Sequence, residues 1–188
     1  MYEMGQLKRV KRSGWWIAGI SNPETVAEHS FRVAVLGWTL ASLEGADPSR
    51  TMAMCLFHDT HEARTNDHHR VARRYVDWTP EVERRAASDQ ISRLPQVLAD
   101  SLMSLIEEFE ADETLEARIA HDADQLECLV QAREYQTQGF EDVQDWITNC
   151  QAALVTDSAK QLAEECLQVK PYEWWQGLKV LSNRAHQG

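Results

Sequence analysis

The segment LFHDTHEARTND, residues 56–67, places a histidine and an aspartate side by side at the end of an apolar helical stretch. Such side chains are costly to bury without a partner, and a divalent cation would supply one. Two other segments carry similar groups inside helical patterns, namely TVAEHS at residues 25–30 and HDADQLECLVQAREY at residues 121–135. The order of these groups along the chain predicts a metal site that activates water, as in a hydrolase.

Helical periodicity dominates the rest of the sequence, and we find no alternating strand pattern, internal repeat or Pro/Gly/Ser-rich linker. Capping residues, prolines and a closing glycine mark where helices begin and end. The predicted helices are Thr25 to about Gly45, one opened by Asp47-Pro48, one opened by Thr79-Pro80, one after the Leu94-Pro95 break, about Thr114 to Gln138, about 140–153 and about 155–168.

The connecting segments are interpreted separately. We expect residues 64–77 to form a loop with a short helix, Pro171 to open a C-terminal segment, and the tail after Asn183 to fray. The predicted fold class is therefore all-α, a single compact bundle of roughly seven to nine helices. Residues 1–183 would form one domain that holds the metal site, and residues 184–188 a short tail.

Composition narrows the functional classes. The chain has 188 residues, 43% of them hydrophobic, which excludes a disordered protein. Its net charge of −11 argues against binding polymeric nucleic acid, although one nucleotide in a locally basic pocket is compatible with it. No apolar run is long enough for a membrane span, and the four cysteines contain no CxxC pair. We therefore expect a cytoplasmic protein with free thiols and no membrane partner.

The metal ligands are only partly fixed by residue pattern. Adjacent helical residues point about 100° apart, so His58 and Asp59 can straddle one ion, and His29 is the upstream candidate. Either Asp122 or Asp124 could complete the set, because both continue apolar rows of their helix. A mixed nitrogen and oxygen set fits Mn, Fe, Co, Ni or Zn better than Mg or Ca.

A purely structural role is the alternative to a metal site. A His-Asp dipeptide is common, and a lone histidine on an apolar face is usually a hydrogen-bonded core residue. Glu62 and Asp67 follow within ten residues of His58. So many ionisable groups at the end of an apolar helix favour a site over a solvated face.

Four blocks together resemble a known family. LKRVKRSGW, ETVAEHSFRVAV, LFHDTHEARTND and ADQLECLVQAREY, spread over residues 7–135, are similar in order and spacing to the 5′-deoxynucleotidase branch of the HD-domain phosphohydrolases. The resemblance implies one divalent transition metal ion per chain and a homodimer. It also implies the ligand set, and it selects Asp124 over Asp122 through the ADQLE block. The implied ligands are His29, His58, Asp59 and Asp124.

The resemblance also implies roles around the substrate. Glu62 matches the acid beside the scissile phosphate, a candidate for proton transfer. Asp67 matches a second pocket acid that orients the water or the sugar, and Arg12 matches the residue that clamps the phosphate. Trp15 matches an aromatic residue near the sugar, although a tryptophan beside Gly14 can equally be a core or dimer contact.

The chain departs from the family pattern in two places. Asn66 stands where the family often has glycine, and asparagine tolerates left-handed backbone better than most residues. The next segment is unusually basic, either as a solvated face or as an added phosphate contact that would favour di- or triphosphates. Its basic residues are His68, His69, Arg70, Arg73 and Arg74.

The predicted activity is hydrolysis of 2′-deoxyribonucleoside 5′-monophosphates, with a small-molecule nucleotide as substrate. The alternatives are a nucleotidase for di- or triphosphates or a modified nucleotide, a two-iron HD-domain oxygenase, and a non-catalytic binding module. The oxygenase would need additional histidines for a second metal, and the binding module is disfavoured because no member of the ligand set is lost.

Overall fold

The computed structural model describes residues 1–178, and within them the chain forms nine α-helices and no strand. A single bridge between Lys11 and Thr25 is the only β-type pairing in this part of the chain. The helices are α1 (Gly14–Ile17), α2 (Val26–Glu44), α3 (Pro48–Phe57), α4 (Glu62–Thr65), α5 (Pro80–Ile91), α6 (Gln96–Ala111), α7 (Leu115–Thr137), α8 (Gln144–Ala153) and α9 (Asp157–Gln168). The predicted all-α bundle is confirmed, whereas the domain boundary at residue 183 and the fraying tail lie outside the described residues.

Local hydrogen bonds explain where α2 and α3 begin. The Thr25 hydroxyl accepts the Glu28 backbone N–H at 3.2 Å, and the Glu28 carboxylate accepts the Thr25 N–H at 2.6 Å, which is the predicted capping box. Helix α2 ends at Gly45, whose φ of 74° suits glycine. Asp47 then caps α3, accepting backbone N–H groups at 2.9 and 3.1 Å, with Pro48 in the first turn.

The short elements differ most from the sequence-based expectations. Helices α1 and α4 have four residues each, too few for periodicity to reveal them. The segment 64–77 contains the end of α4 and a 3-10 turn at Ala72–Arg74, and another 3-10 turn at Glu141–Val143 precedes α8. The C-terminal segment after Pro171 contains a 3-10 turn at Glu173–Trp175.

Helix α7 is the centre of the core and contacts α2, α3, α6, α8 and α9. Its fully buried residues include Ile119, Leu126 and Leu129. Helices α2 and α3 pack closely at Gly37, where a Cβ atom would overlap the Sγ of Cys55. This packing brings the start of α2, the end of α3 and the middle of α7 to one place.

The structure also describes the cysteines and the apolar character of the helices. All four cysteines are free thiols, as expected. Among the described residues, no helix combines the length and apolar character needed to cross a bilayer.

Candidate metal centre and active site

Two histidines and two aspartates converge where α2, α3 and α7 meet. His29 Nε2 lies 3.1 Å from Asp124 Oδ1 and 3.8 Å from Asp59 Oδ2. His58 Nε2 lies 3.1 Å from Asp59 Oδ2 and 4.0 Å from Asp124 Oδ1. The structure therefore brings together all four side chains implied by the resemblance.

Each imidazole ring is oriented by a contact to its Nδ1 atom, on the side of the ring away from the cluster. His29 Nδ1 lies 2.5 Å from Glu127 Oε2, and His58 Nδ1 donates to the Cys55 carbonyl at 2.7 Å. Both Nε2 atoms are buried and have no hydrogen-bond partner among the described residues. Because buried polar atoms are rarely left unpaired, two such nitrogens facing two carboxylates fit a bound cation.

The carboxylates of the cluster also favour a positive charge among them. Burial and nearby Arg12 lower the pKa of His29, but Glu127 and Asp124 outweigh them and raise it to about 10. Burial opposes ionisation of Asp59, yet His58 and Arg12 hold its pKa well below the usual value. A proton on His29 thus partly balances the carboxylates, and a metal ion would take its place.

Asp122 has a different environment from Asp124. Its carboxylate accepts the backbone N–H of Val155 at 2.9 Å and that of Thr156 at 2.7 Å, together with the Thr156 hydroxyl at 2.6 Å. Asp122 therefore ties α7 to the start of α9. Only Asp124 points toward the two histidines, the same choice that the family resemblance implied.

Arg12 and Glu62 stand beside this cluster. Arg12 Nη1 lies 3.4 Å from Asp59 Oδ2. Glu62 is 2% exposed, and its Oε2 has no hydrogen-bond partner among the described residues. Burial, and then the charges of Asp59 and Asp67, raise the pKa of Glu62 well above its usual value. Glu62 is therefore a buried carboxyl group whose surroundings favour the protonated form, as a general acid requires.

Asp67 is fixed by the segment that carries Arg12. Its Oδ2 accepts the Ser13 backbone N–H at 2.5 Å, and the Ser13 hydroxyl donates to the Asp67 carbonyl at 3.0 Å. Asn66, just before it, has a φ of 62°, so asparagine does take the left-handed backbone for which the family often uses glycine. These contacts hold Arg12 and Asp67 on the same side of the site.

A cavity of about 670 Å³ opens in front of the cluster, within the range of small-molecule sites. Its lining includes Arg12, His58, Asp59, Glu62, Asp67 and Asp124. His29 has no exposed surface and lies behind this lining. The cavity is large enough for a nucleotide whose phosphate reaches the cluster.

Trp15 borders the cavity, but it is mainly a core residue. It is 2% exposed, and its Nε1 donates to Glu24 Oε1 at 3.0 Å. Its ring meets Tyr135 edge-on at 5.2 Å and Trp146 at 5.5 Å. The partly buried Trp146 on α8 lines the same cavity, and the sequence analysis missed it because no local signal connects α8 to the site.

The sequence analysis also assigned no site role to His61. This residue lines the cavity and is 7% exposed, and its Nε2 has no hydrogen-bond partner among the described residues. Glu83 Oε1 lies 3.8 Å from that nitrogen. The sequence signal for a site role was that His61 follows His58 by three residues, close to one helical turn.

Most of the basic segment is already engaged. His68 packs against Trp78, with ring centroids 4.3 Å apart and ring planes inclined by 37°, and Arg73 pairs with Glu83 at 3.2 Å. Arg70 lines the cavity and makes no ion pair or side-chain hydrogen bond with the described residues. Arg70 is therefore the member of this segment best placed to meet a ligand.

Comparison with known proteins identifies the family. The model of the HD domain family matches residues 4–166. The chain belongs to the HD domain family. This result confirms the resemblance that the four sequence blocks carry.

Relatives of this HD domain include both solved structures and curated proteins. A conserved hypothetical protein from Pyrococcus furiosus superimposes with a TM-score of 0.76 at 30% identity, covering 89% of this chain and 97% of the other. A predicted metal-dependent phosphohydrolase from Magnetospirillum magnetotacticum gives a TM-score of 0.69 at 26% identity, with 89% and 87% covered. Human 5′-deoxynucleotidase HDDC2 is 31% identical over 138 residues, 71% of this chain and 65% of the human protein. The chain thus spans slightly less than two thirds of the human relative.

Proposed function

We propose that this protein is a metal-dependent phosphohydrolase that converts 2′-deoxyribonucleoside 5′-monophosphates into deoxynucleosides and phosphate. The observation that carries the proposal is that the buried Nε2 atoms of His29 and His58 have no hydrogen-bond partner within residues 1–178 and face two carboxylates at the base of a nucleotide-sized cavity. The names of the curated relatives, 5′-deoxynucleotidases of human and cattle, support the substrate class.

One divalent ion would be held by His29, His58, Asp59 and Asp124. The mixed nitrogen and oxygen ligand set favours Mn, Fe, Co, Ni or Zn. When bound, such an ion polarises the phosphoryl group and lowers the pKa of a coordinated water.

Arg12 would bind the phosphate. Burial disfavours its charge, but Asp59, Asp124 and Asp67 hold the pKa of its guanidinium well above the usual value, so it stays cationic. Its position 3.4 Å from Asp59 places positive charge next to the proposed metal ligands. A planar guanidinium there neutralises two phosphate oxygens and stabilises the charge that develops during transfer.

Glu62 and Asp67 would handle protons and orientation. Glu62 is buried and its pKa is raised by burial and by Asp59, so it is suited to donating a proton to the 5′-oxygen as the phosphate departs. Asp67, with Oδ2 committed to Ser13, has its other oxygen available to orient the attacking water or the sugar. The sugar would lie against the wall formed by Trp15 and Trp146.

A nucleotidase acting on di- or triphosphates is the second candidate. The supporting observation is Arg70, a cavity-lining cation without an ion-pair partner among the described residues. A two-iron oxygenase has less support. Atoms of Asp59, His61 and Glu62 do lie within 4.8 Å of one another, but this group adds only one histidine, whereas a second iron would need additional histidines.

The proposal includes a homodimer in the cytoplasm. Helix α2 presents an outward apolar face in which Phe31 is 68%, Val35 50% and Trp38 51% exposed, suited to burial against a second copy. The four free thiols suit a reducing compartment. Light scattering coupled to size-exclusion chromatography would give the mass in solution.

The test is product analysis over deoxy- and ribonucleotides, each as mono-, di- and triphosphate. The protein is first stripped with a chelator and then supplied with Mn, Co, Ni, Zn or Mg. We expect phosphate from deoxymonophosphates, no activity with the chelator, and neither metal nor activity in His58→Ala. Pyrophosphate or triphosphate as product would favour the second candidate, and full metal occupancy of His58→Ala would refute the proposed site.

A further inference from the structure

A buried carboxylate stands directly behind His29, on the side away from the cavity. Glu127 has no exposed surface, and both of its oxygens are engaged. Oε2 lies 2.5 Å from His29 Nδ1, while Oε1 accepts from Arg32 Nε at 3.0 Å and lies 2.8 Å from Arg32 Nη2. One carboxylate therefore joins a proposed metal ligand to a guanidinium.

Arg32 extends this contact to the surface. Its Nη1 donates to Glu134 at 2.8 Å and its Nη2 to Gln131 at 2.7 Å, and its side chain is 28% exposed. Arg32 lines a second cavity of about 480 Å³ that does not include the proposed metal ligands. A continuous set of hydrogen bonds thus runs from solvent through Arg32 and Glu127 to His29.

The charges explain why this arrangement does not hold a second metal. Ligand atoms of Glu24, His29 and Glu127 lie within 4.8 Å of one another, a spacing that could surround an ion. The Arg32 guanidinium already supplies the cation on that side and occupies Oε1 of Glu127. The remaining oxygen is committed to His29 Nδ1, so the group acts as a hydrogen-bonded support.

We propose that Glu127 is a positioning residue that fixes the tautomer and the ring orientation of His29, and that Arg32 holds its carboxylate in place. A carboxylate beside Nδ1 keeps a proton on that nitrogen, so Nε2, which faces Asp59 and Asp124, is the nitrogen left to bind a metal. The inference rests on the proposed metal site, but it concerns residues that touch neither the metal nor the substrate.

Replacing Glu127 by glutamine gives the sharpest test, because glutamine has the same shape and only one acceptor oxygen. If that oxygen faces Arg32, the amide NH₂ faces His29, so Nδ1 must accept and the proton moves to Nε2, where a metal would bind. If the oxygen faces His29, the NH₂ group faces the Arg32 donors, and the guanidinium loses its acceptor. In either orientation, the glutamine loses one of the two contacts by which Glu127 joins His29 to Arg32.

The measurement is Co²⁺ affinity by competition with a chromophoric chelator, together with the Co²⁺ absorption spectrum. We expect Glu127→Gln to bind Co²⁺ about 10- to 100-fold more weakly, as for other supports of metal-binding histidines. Glu127→Asp should recover part of the affinity, and Arg32→Gln should show a smaller loss. The matched control is Glu134→Gln, which removes a partner of Arg32 without touching His29 and should stay within about twofold of wild type.

The outcomes separate this inference from the proposed function. A wild-type protein that binds no Co²⁺ would refute the metal site itself. A wild-type protein that binds one ion, with unchanged affinity and spectrum in Glu127→Gln, would overturn only the role of Glu127. An equal loss in Glu134→Gln would show a general surface-charge effect and would also overturn it. If Glu127→Gln does not fold, Arg32→Gln decides, and unchanged affinity in that variant counts against the inference.

Discussion

Replacing Asp122 by asparagine should weaken the fold and leave the metal site intact, whereas Asp124→Asn should act mainly on metal binding. The two residues are two positions apart on α7, but their partners differ. Asp122 accepts hydrogen bonds from Val155 and Thr156, which begin the segment leading into α9. Asp124 Oδ1 faces His29 Nε2 at 3.1 Å.

The size of the Asp122 effect follows from its three hydrogen bonds. Asparagine keeps one acceptor oxygen, which can still serve Val155, but its NH₂ group faces the Thr156 N–H and cannot accept from it. Hydrogen bonds to charged groups contribute about 1.5–3 kcal/mol each, and a buried donor without a partner adds a penalty. We therefore expect Asp122→Asn to lose roughly 2–4 kcal/mol of unfolding free energy. In a domain of this size that corresponds to a melting temperature lower by roughly 5–15 °C.

In the metal-free protein, Asp124→Asn should also lower the melting temperature, because it removes a carboxylate that lies 3.1 Å from the protonated His29. What distinguishes this variant is its effect on the metal. Removing the charged ligand should weaken metal binding by roughly 10-fold to 100-fold or more. Thermal melts in chelator and Co²⁺ titrations of both variants provide the assay. Loss of metal binding by Asp122→Asn at an unchanged melting temperature would refute the assignment.

Three further predictions concern separate parts of the structure. Glu62→Gln should keep one metal per chain but lower kcat about 100-fold, the size of a general acid–base contribution; near-normal kcat with full metal content would remove Glu62 from the mechanism. Burial, and then Glu127, raise the pKa of Glu24 to about 7 from 4.5, so the stability that this residue contributes is lost as pH rises through 7. Glu24→Gln should therefore melt higher than wild type at pH 8, and by much less at pH 5, in chelator; an equal difference at both values would contradict this. Gly37→Ala should cost about 1–3 kcal/mol in denaturant titrations, because its Cβ overlaps the Cys55 Sγ, and adding Cys55→Ala should recover much of the loss; no recovery would place the strain elsewhere.

The sequence predicted the longer helices well because their ends depend on neighbouring residues. The Thr25 capping box and the Asp47-Pro48 start need only a few consecutive positions, and both occur as predicted. Helices α1 and α4 were missed because one helical turn carries no periodic signal. Their conformations depend on tertiary contacts, such as the Ser13–Asp67 hydrogen bond across 54 positions of sequence.

In the candidate site, too, features set by neighbouring residues could be predicted, and features set by tertiary contacts could not. Periodicity could not choose between Asp122 and Asp124, because both sit on helix faces that other helices cover. The ADQLE block selected Asp124 by resemblance, but the physical reason is visible only in the structure, where the start of α9 donates hydrogen bonds to Asp122. Trp146 and Glu127 were not recognised as site neighbours for the same reason, since their importance comes from residues far away in sequence.

The charges around His29 indicate how the fold and the proposed chemistry depend on each other. Asp59, Asp124 and Glu127 surround one imidazole, while Arg12 and Arg32 approach from opposite sides. Without a metal, the pKa of His29 near 10 means that a proton supplies the missing positive charge. A metal must displace that proton, so its apparent affinity should rise with pH as the competition weakens. The same carboxylates that make this centre costly to bury are thus stabilised by whichever cation occupies it, which explains why so acidic a cluster can lie at the heart of an otherwise apolar helical bundle.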